Sequence, residues 1–132
     1  MRISKFFDFT IKGDSLDPNA IKNEVDLPCK IYIKDEITKL TVGEKLIKEV
    51  VQKTNRWLYC DMSQDEMTIS AFLTKNLEII VKHLSKLNSY IKNYKTILEL
   101  VIYAENKTNI KLSKKQIRLL DIIGVDLLIA FC

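Results

Sequence analysis

Apolar residues at Ile69, Leu73, Leu77, Ile80, Leu84, Leu87, Ile91, Tyr94 and Leu98 succeed one another at steps of four, four, three, four, three, four, three and four. Only an α-helix gathers such a spacing into a single stripe. The pattern predicts one long helix, from about Ser63 or Thr68 to Lys95. A helix with one apolar face must bury that face, and in a chain this short the covering layer has to come from the flanking segments.

Those segments read as strands. From Ile3 to Lys12, Phe7, Phe9 and Ile11 alternate with Asp8, Thr10 and Lys12, the period of a half-buried strand. Gly13, Asp14 and Ser15 then break it, and Leu16-Asp17-Pro18 opens a short helix carrying Ala20, Ile21 and Val25. An Asp before the first turn accepts from its free amides, and Pro at the first helical position sacrifices no hydrogen bond. Cys29 to Lys34 alternates as a second strand, Arg56 to Cys60 forms a third with Trp57 and Tyr59 facing alike, and Glu99 to Ala104 forms a fourth. After the polar turn Glu105 to Asn109, Ser113 caps a third helix running through Ile123, stopped by Gly124. Val125 to Cys132 is almost wholly apolar, which predicts a central strand buried on both faces. The stretch 35–55 fits two structures, a short amphipathic helix through Leu46, Ile47, Val50 and Val51 or an irregular hairpin around Gly43. Leu16 to Ile21 and Leu112 to Ile117 share one pattern of a Leu, a capping residue and a short helix, which suits either a pseudo-repeat or the common grammar of caps.

The expected fold is therefore a single α+β domain over residues 1–132. A mostly antiparallel sheet of four to six strands packs on one long helix with two shorter ones, in a ferredoxin-like order of strand, helix, two strands, helix and strand, with an added helix and strand.

Composition closes off several chemistries. One histidine, His83, cannot build a His-based triad or a multi-His metal site within this chain. Three glycines cannot line a dinucleotide or phosphate loop, and no Gly-x-Ser-x-Gly occurs. Three widely spaced cysteines, Cys29, Cys60 and Cys132, with no Cys-x-x-Cys, argue against a disulfide scaffold and a zinc ribbon; all three sit where a small core hydrophobe would serve. Asp8 interrupts the N-terminal apolar run, and no stretch approaches membrane-helix length. These features predict a reduced cytoplasmic protein with no cofactor and no metal. The net charge of +4 comes from 21 cations, of which 18 are Lys and 3 Arg. Lysine without arginine or stacking aromatics argues against nucleic acid.

Few residues remain as candidate sites. Asp14, Asp17 and Asp126 form an acidic trio, but capping and turn formation account for them, and the alternating oxygen ligands of a calcium loop are missing. His83 lies beside the apolar stripe, as a partly exposed surface residue would. Lys75, Lys82 and Lys86 share one helix face with Glu78 as the main nearby acid; they are a solvated face or a landing strip for a partner. Trp57 and Tyr59 read first as core; exposed beside Tyr32, they would make an aromatic patch for a protein partner.

The motifs Gly13-Asp14-x-Leu16-Asp17-Pro18, Leu27-Pro28 with the Lys-rich strand after it, mid-chain Trp57, the long helix, Leu112-Ser113 and Leu120-x-x-Ile123-Gly124-Val125-Asp126-Leu127 together resemble a bacterial family, the domain of unknown function numbered four-two-seven-nine. The resemblance covers nearly the whole chain. It departs most from Thr38 to Thr54, where members look loop-like and Gly-rich and this chain offers only Gly43. It implies a small cytoplasmic α/β or α+β domain and no established activity, so no catalytic residue is carried over. Small stand-alone domains of this kind often serve as immunity partners of toxins, an association and not a mechanism.

The expected function is therefore binding without catalysis: a monomer or homodimer that recognises another protein, most specifically a toxin domain, and neither nucleic acid nor membrane. The alternative is a small-molecule or nucleotide sensor with a pocket between sheet and long helix, which a deep apolar cavity would favour.

Overall fold

The computed structural model describes residues 4–64, 66–104 and 109–132. The elements are β1 (Ser4–Gly13), α1 (Pro18–Glu24), β2 (Lys30–Tyr32), β3 (Ile37–Val42), β4 (Lys45–Val51), β5 (Asn55–Ser63), α2 (Ile69–Lys82), α3 (Leu84–Asn93), β6 (Lys95–Tyr103), α4 (Lys114–Ile123) and β7 (Leu127–Phe131). The architecture is α+β. Five strands form one sheet in the order β2-β5-β1-β6-β7, while β3 and β4 pair only with each other. β1 is antiparallel to both β5 and β6, β2 is antiparallel to β5, and β6 and β7 are parallel. Among the described residues, no helix is long and apolar enough to cross a membrane.

Period-two alternation sorts the sheet into two faces. Phe7, Phe9 and Ile11 of β1, Trp57 and Tyr59 of β5, and Leu98, Leu100 and Ile102 of β6 point to one side, and all are buried. The helices close over them with Phe72, Leu73, Leu77, Ile80 and Leu87. Phe9 meets Trp57, and Phe7 meets Tyr59, edge to face at ring-centroid distances of 6.2 Å. Lys5 lies on this inner face, 1% exposed.

The helix ends follow their sequence signals. The Asp17 carboxylate accepts from the Asn19 amide at 3.0 Å with Pro18 in the first turn. Ser113 and Gln116 form a reciprocal capping box, and Gly124 closes α4 at φ 76°. Gly13 has another reason to be glycine: a Cβ there would lie 2.7 Å from a ring carbon of Tyr94.

Three expectations are corrected. The long helix is two, α2 and α3, because at His83 the amide bonds to Ile80 with φ −100° and ψ 6° and the regular ladder stops. The apolar stripe nevertheless runs on through Leu84 and Leu87, so both helices present the same side to the sheet. The stripe's last residue, Leu98, belongs to β6: the chain turns extended at Tyr94 and alternation takes over. The closing strand is not central. β7 pairs with β6 on one side only and ends the sheet, leaving Leu128 53% and Phe131 55% exposed. Its all-apolar sequence therefore reflects something other than burial on both faces.

The stretch 35–55 is the hairpin. Gly43 takes φ 61° in the two-residue loop between Val42 and Lys45, a position where a side chain is costly. β-Branched Thr41, Val42, Ile47, Val50 and Val51 suit extended backbone. Leu40 pairs with Lys48 but Thr41 pairs with Leu46, so β4 carries one extra residue, a bulge that shifts the facing pattern.

Candidate functional site

The β3–β4 hairpin stands apart from the sheet. Apart from each other, no element packs broadly against either strand among the described residues. Its large apolar side chains lie open to solvent: Ile37 58%, Val42 71%, Leu46 47%, Ile47 58% and Val51 54% exposed. Ile37 and Val51 face each other across the ladder, so two of these side chains form a continuous patch near the base. Folding gains nothing from apolar groups left in water, and clustered exposed hydrophobes mark contact surfaces.

The hairpin's base is fixed. The Asp35 amide donates to the Gln52 carbonyl at 2.8 Å and the Gln52 amide to the Glu36 carbonyl at 2.9 Å. Buried Gln52 donates its side-chain amide to Thr38 Oγ1 at 2.7 Å and accepts from the Arg56 guanidinium at 3.0 Å. That guanidinium also lies 4.4 Å from the Tyr32 ring centroid, a cation–π contact. Beside it, Asn55 receives the Lys34 amide at 2.7 Å and donates to the Asp14 carbonyl at 3.1 Å. A marginal two-stranded ribbon is thus anchored to the sheet through one buried glutamine and its neighbours.

The sheet face away from the helices is the second exposed surface. Across it run Cys60, Asp8, Glu99 and Leu128 in one row, and Tyr32, Arg56, Lys12 and Lys95 in another. At its far end the Phe6 and Tyr103 rings meet edge to face at 5.3 Å. Partial burial, and then the neighbouring Glu99 carboxylate, raise the Asp8 carboxyl above its ordinary range, while Lys30 partly offsets them.

The residues singled out from sequence are dispersed. Trp57 and Tyr59 are buried on the inner face, which corrects their candidacy as an exposed patch: their register with Ile11 and Phe9 points them under the helices. Tyr32 instead packs on Arg56 at the hairpin's base. The Tyr59 hydroxyl donates to Asn76 at 2.8 Å, and burial, then Asp61 and Cys60, push it up to about 12. Lys75 pairs with Asp61 at 3.3 Å, Glu78 pairs with Lys115, and exposed Lys82 and Lys86 lie on either side of the His83 break. His83 is partly exposed. Asp17 caps α1, Asp14 lies 3.5 Å from Lys34, and Asp126 precedes β7. Cys60 and Cys132 are exposed rather than packed in the core, because both fall outside the inner face; Cys29 is partly buried against the core. Of the predicted turn from Glu105 to Asn109, residues 105–108 lie outside the described residues.

Sequence reasoning missed the Gln52–Arg56 anchor and the Asp8–Glu99 pair. Both arise from pairing between distant strands. The alternation of β1 did place Asp8 on the face opposite Phe7 and Phe9.

The family model for Domain of unknown function (DUF4279) matches residues 4–131. The chain belongs to this family. Neither the curated proteins nor the solved structures contain a match to it. Membership in DUF4279 brings no activity with it, so the chemistry of the chain rests on its own surfaces.

Proposed function

We propose that this DUF4279 chain is a non-catalytic protein-binding domain that grips its partner with the β3–β4 hairpin. The observation that carries the reading is the set of exposed apolar side chains on the hairpin, Ile37, Val42, Leu46, Ile47 and Val51. An anchored base and apolar side chains spread along both strands suit insertion into a cleft of another protein. The sharpest form of the reading is a cytoplasmic immunity protein that occludes a toxin domain. The sensor alternative needs a cavity between sheet and helices; Phe7, Phe9, Phe72, Leu77, Leu87 and Leu100, all fully buried, occupy that space, which favours the binding reading. The order β2-β5-β1-β6, antiparallel throughout, supports classing the frame as ferredoxin-like with α4 and β7 added.

Co-expression with the product of the neighbouring gene tests this. The expected result is growth rescue and co-purification by the natural chain, with both lost in the Ile37→Asp/Val51→Asp variant at an unchanged melting temperature. Rescue by that variant, or the absence of any rescue or complex with the natural chain, overturns the reading.

A further inference from the structure

β7 ends the sheet without the devices that usually blunt an edge strand. Leu127 to Phe131 contains no Lys, no Pro and no bulge. The opposite edge differs: β2 is three residues long, follows Pro28 and carries exposed Lys30. Among the described residues, no strand pairs with β7 on the side away from β6.

The register shows what the open edge offers. The Cys132 amide donates to the Ile102 carbonyl at 2.9 Å, and Phe131 is in register with Ile102. In a parallel ladder this places the amides and carbonyls of residues 128, 130 and 132 toward β6. Those of Leu127, Ile129 and Phe131 therefore point away from the sheet. Three outward residues centred on Ile129 are their own complement under a two-fold rotation. The strand is uncharged from end to end, so self-pairing brings no like charges together.

We infer that β7 is the seam of a homodimer. Two copies pair antiparallel along it, with Ile129 opposite Ile129 of the second copy, Leu127 opposite Phe131, and Leu128 opposite Ala130. The two five-stranded sheets become one of ten strands, with the exposed side chains of Leu128, Ile129 and Phe131 at the seam. This accounts for a strand whose sequence is that of an interior strand although it lies at an edge. The pairing is two-fold and uses the β7 edge of both copies, so the assembly closes as a dimer rather than growing into a filament. The seam is independent of the hairpin.

Residue 129 meets its own copy on the two-fold axis, and this gives a decisive test by sedimentation velocity over a concentration series. The natural chain and Ile129→Thr are expected to sediment as dimers. Ile129→Lys and Ile129→Glu are each expected to be monomeric, and an equimolar mixture of the two is expected to dimerise again. A natural chain that stays monomeric throughout, a charged variant that still dimerises, or a mixture that stays monomeric overturns the inference. Amide exchange in the natural chain tests it without any variant. The Leu127, Ile129 and Phe131 amides are expected to exchange slowly when concentrated and quickly when dilute, with Leu128 and Ala130 slow in both. Fast exchange of the three outward amides at every concentration overturns it.

Discussion

The Tyr59 hydroxyl donates a 2.8 Å hydrogen bond to the side-chain oxygen of Asn76, tying the middle of β5 to α2 inside the core. Asn76 is fully buried and spends its amide on the Phe72 carbonyl at 3.0 Å and the Asp61 carboxylate at 3.1 Å. A helix residue that joins a strand hydroxyl to a strand carboxylate fixes the rotation of α2 over the sheet.

Removing Asn76 therefore strands polar partners. Asn76→Ala is expected to cost about 1–3 kcal/mol, and Tyr59→Phe, which deletes only one hydroxyl, about 1 kcal/mol. In the Tyr59→Phe background the Asn76→Ala penalty shrinks, because one of its stranded partners is already gone. Urea denaturation of the four proteins measures the coupling; strictly additive penalties would contradict it.

Asp8 and Glu99 face each other across the β1–β6 ladder as like charges. Burial and Glu99 raise the Asp8 carboxyl above 3.8, its ordinary value. The folded state thus holds this proton more tightly than the unfolded state does. The stability it contributes is full below pH 3.8 and is lost as pH rises through the raised value. Asp8→Asn is expected to raise the melting temperature at neutral pH by about 1–4 °C, from the typical cost of opposed like charges. The gain should vanish below pH 3.8, where the natural Asp8 is itself protonated. Thermal melts across pH 3 to 7 check both halves.

Gln116 joins α4 to α2 while capping α4. Its amide donates to the Ser70 carbonyl, Ser70 Oγ and Thr74 Oγ1 at 3.0 to 3.1 Å, and its oxygen receives the Ser113 amide at 2.9 Å. Gln116→Ala is expected to destabilise by about 1–3 kcal/mol. Gln116→Glu keeps the acceptor of the capping box but loses the three donations, and is expected to recover only part of that loss in chemical denaturation.

Gly13→Ala forces a Cβ to within 2.7 Å of the Tyr94 ring. The expected cost is about 1–3 kcal/mol, as for other overpacked sites. Tyr94→Ala in the same chain opens the space, so the Gly13→Ala penalty measured in that background should fall close to zero.

Period, caps and turn chemistry made most of the frame legible. β1, α1 and α4 lie within a residue or two of where alternation, Asp17-Pro18, Ser113 and Gly124 place them. The hairpin resisted because the bulge near Ile47 breaks its alternation and sets Leu46, Ile47, Val50 and Val51 at spacings that also suit a helix. The break at His83 carries no proline or glycine to announce it. β7 differs for another reason: an all-apolar run has the composition of a strand buried on both faces, and composition does not say which strand ends the sheet. The anchor at Gln52 was invisible because its partners Thr38 and Arg56 acquire meaning only when the hairpin's two ends meet.

That anchor has an evolutionary consequence. The chain leaves the body at Asp35 and returns at Gln52 through two backbone hydrogen bonds that involve no side chain. With Thr38 kept as the partner of Gln52, the residues from Lys39 to Val51 pair only within the hairpin and can be rewritten without disturbing a pairing in the five-stranded sheet. The tip can thus change in sequence while the socket beneath it stays the same, and a new surface there need not wait for a change of fold.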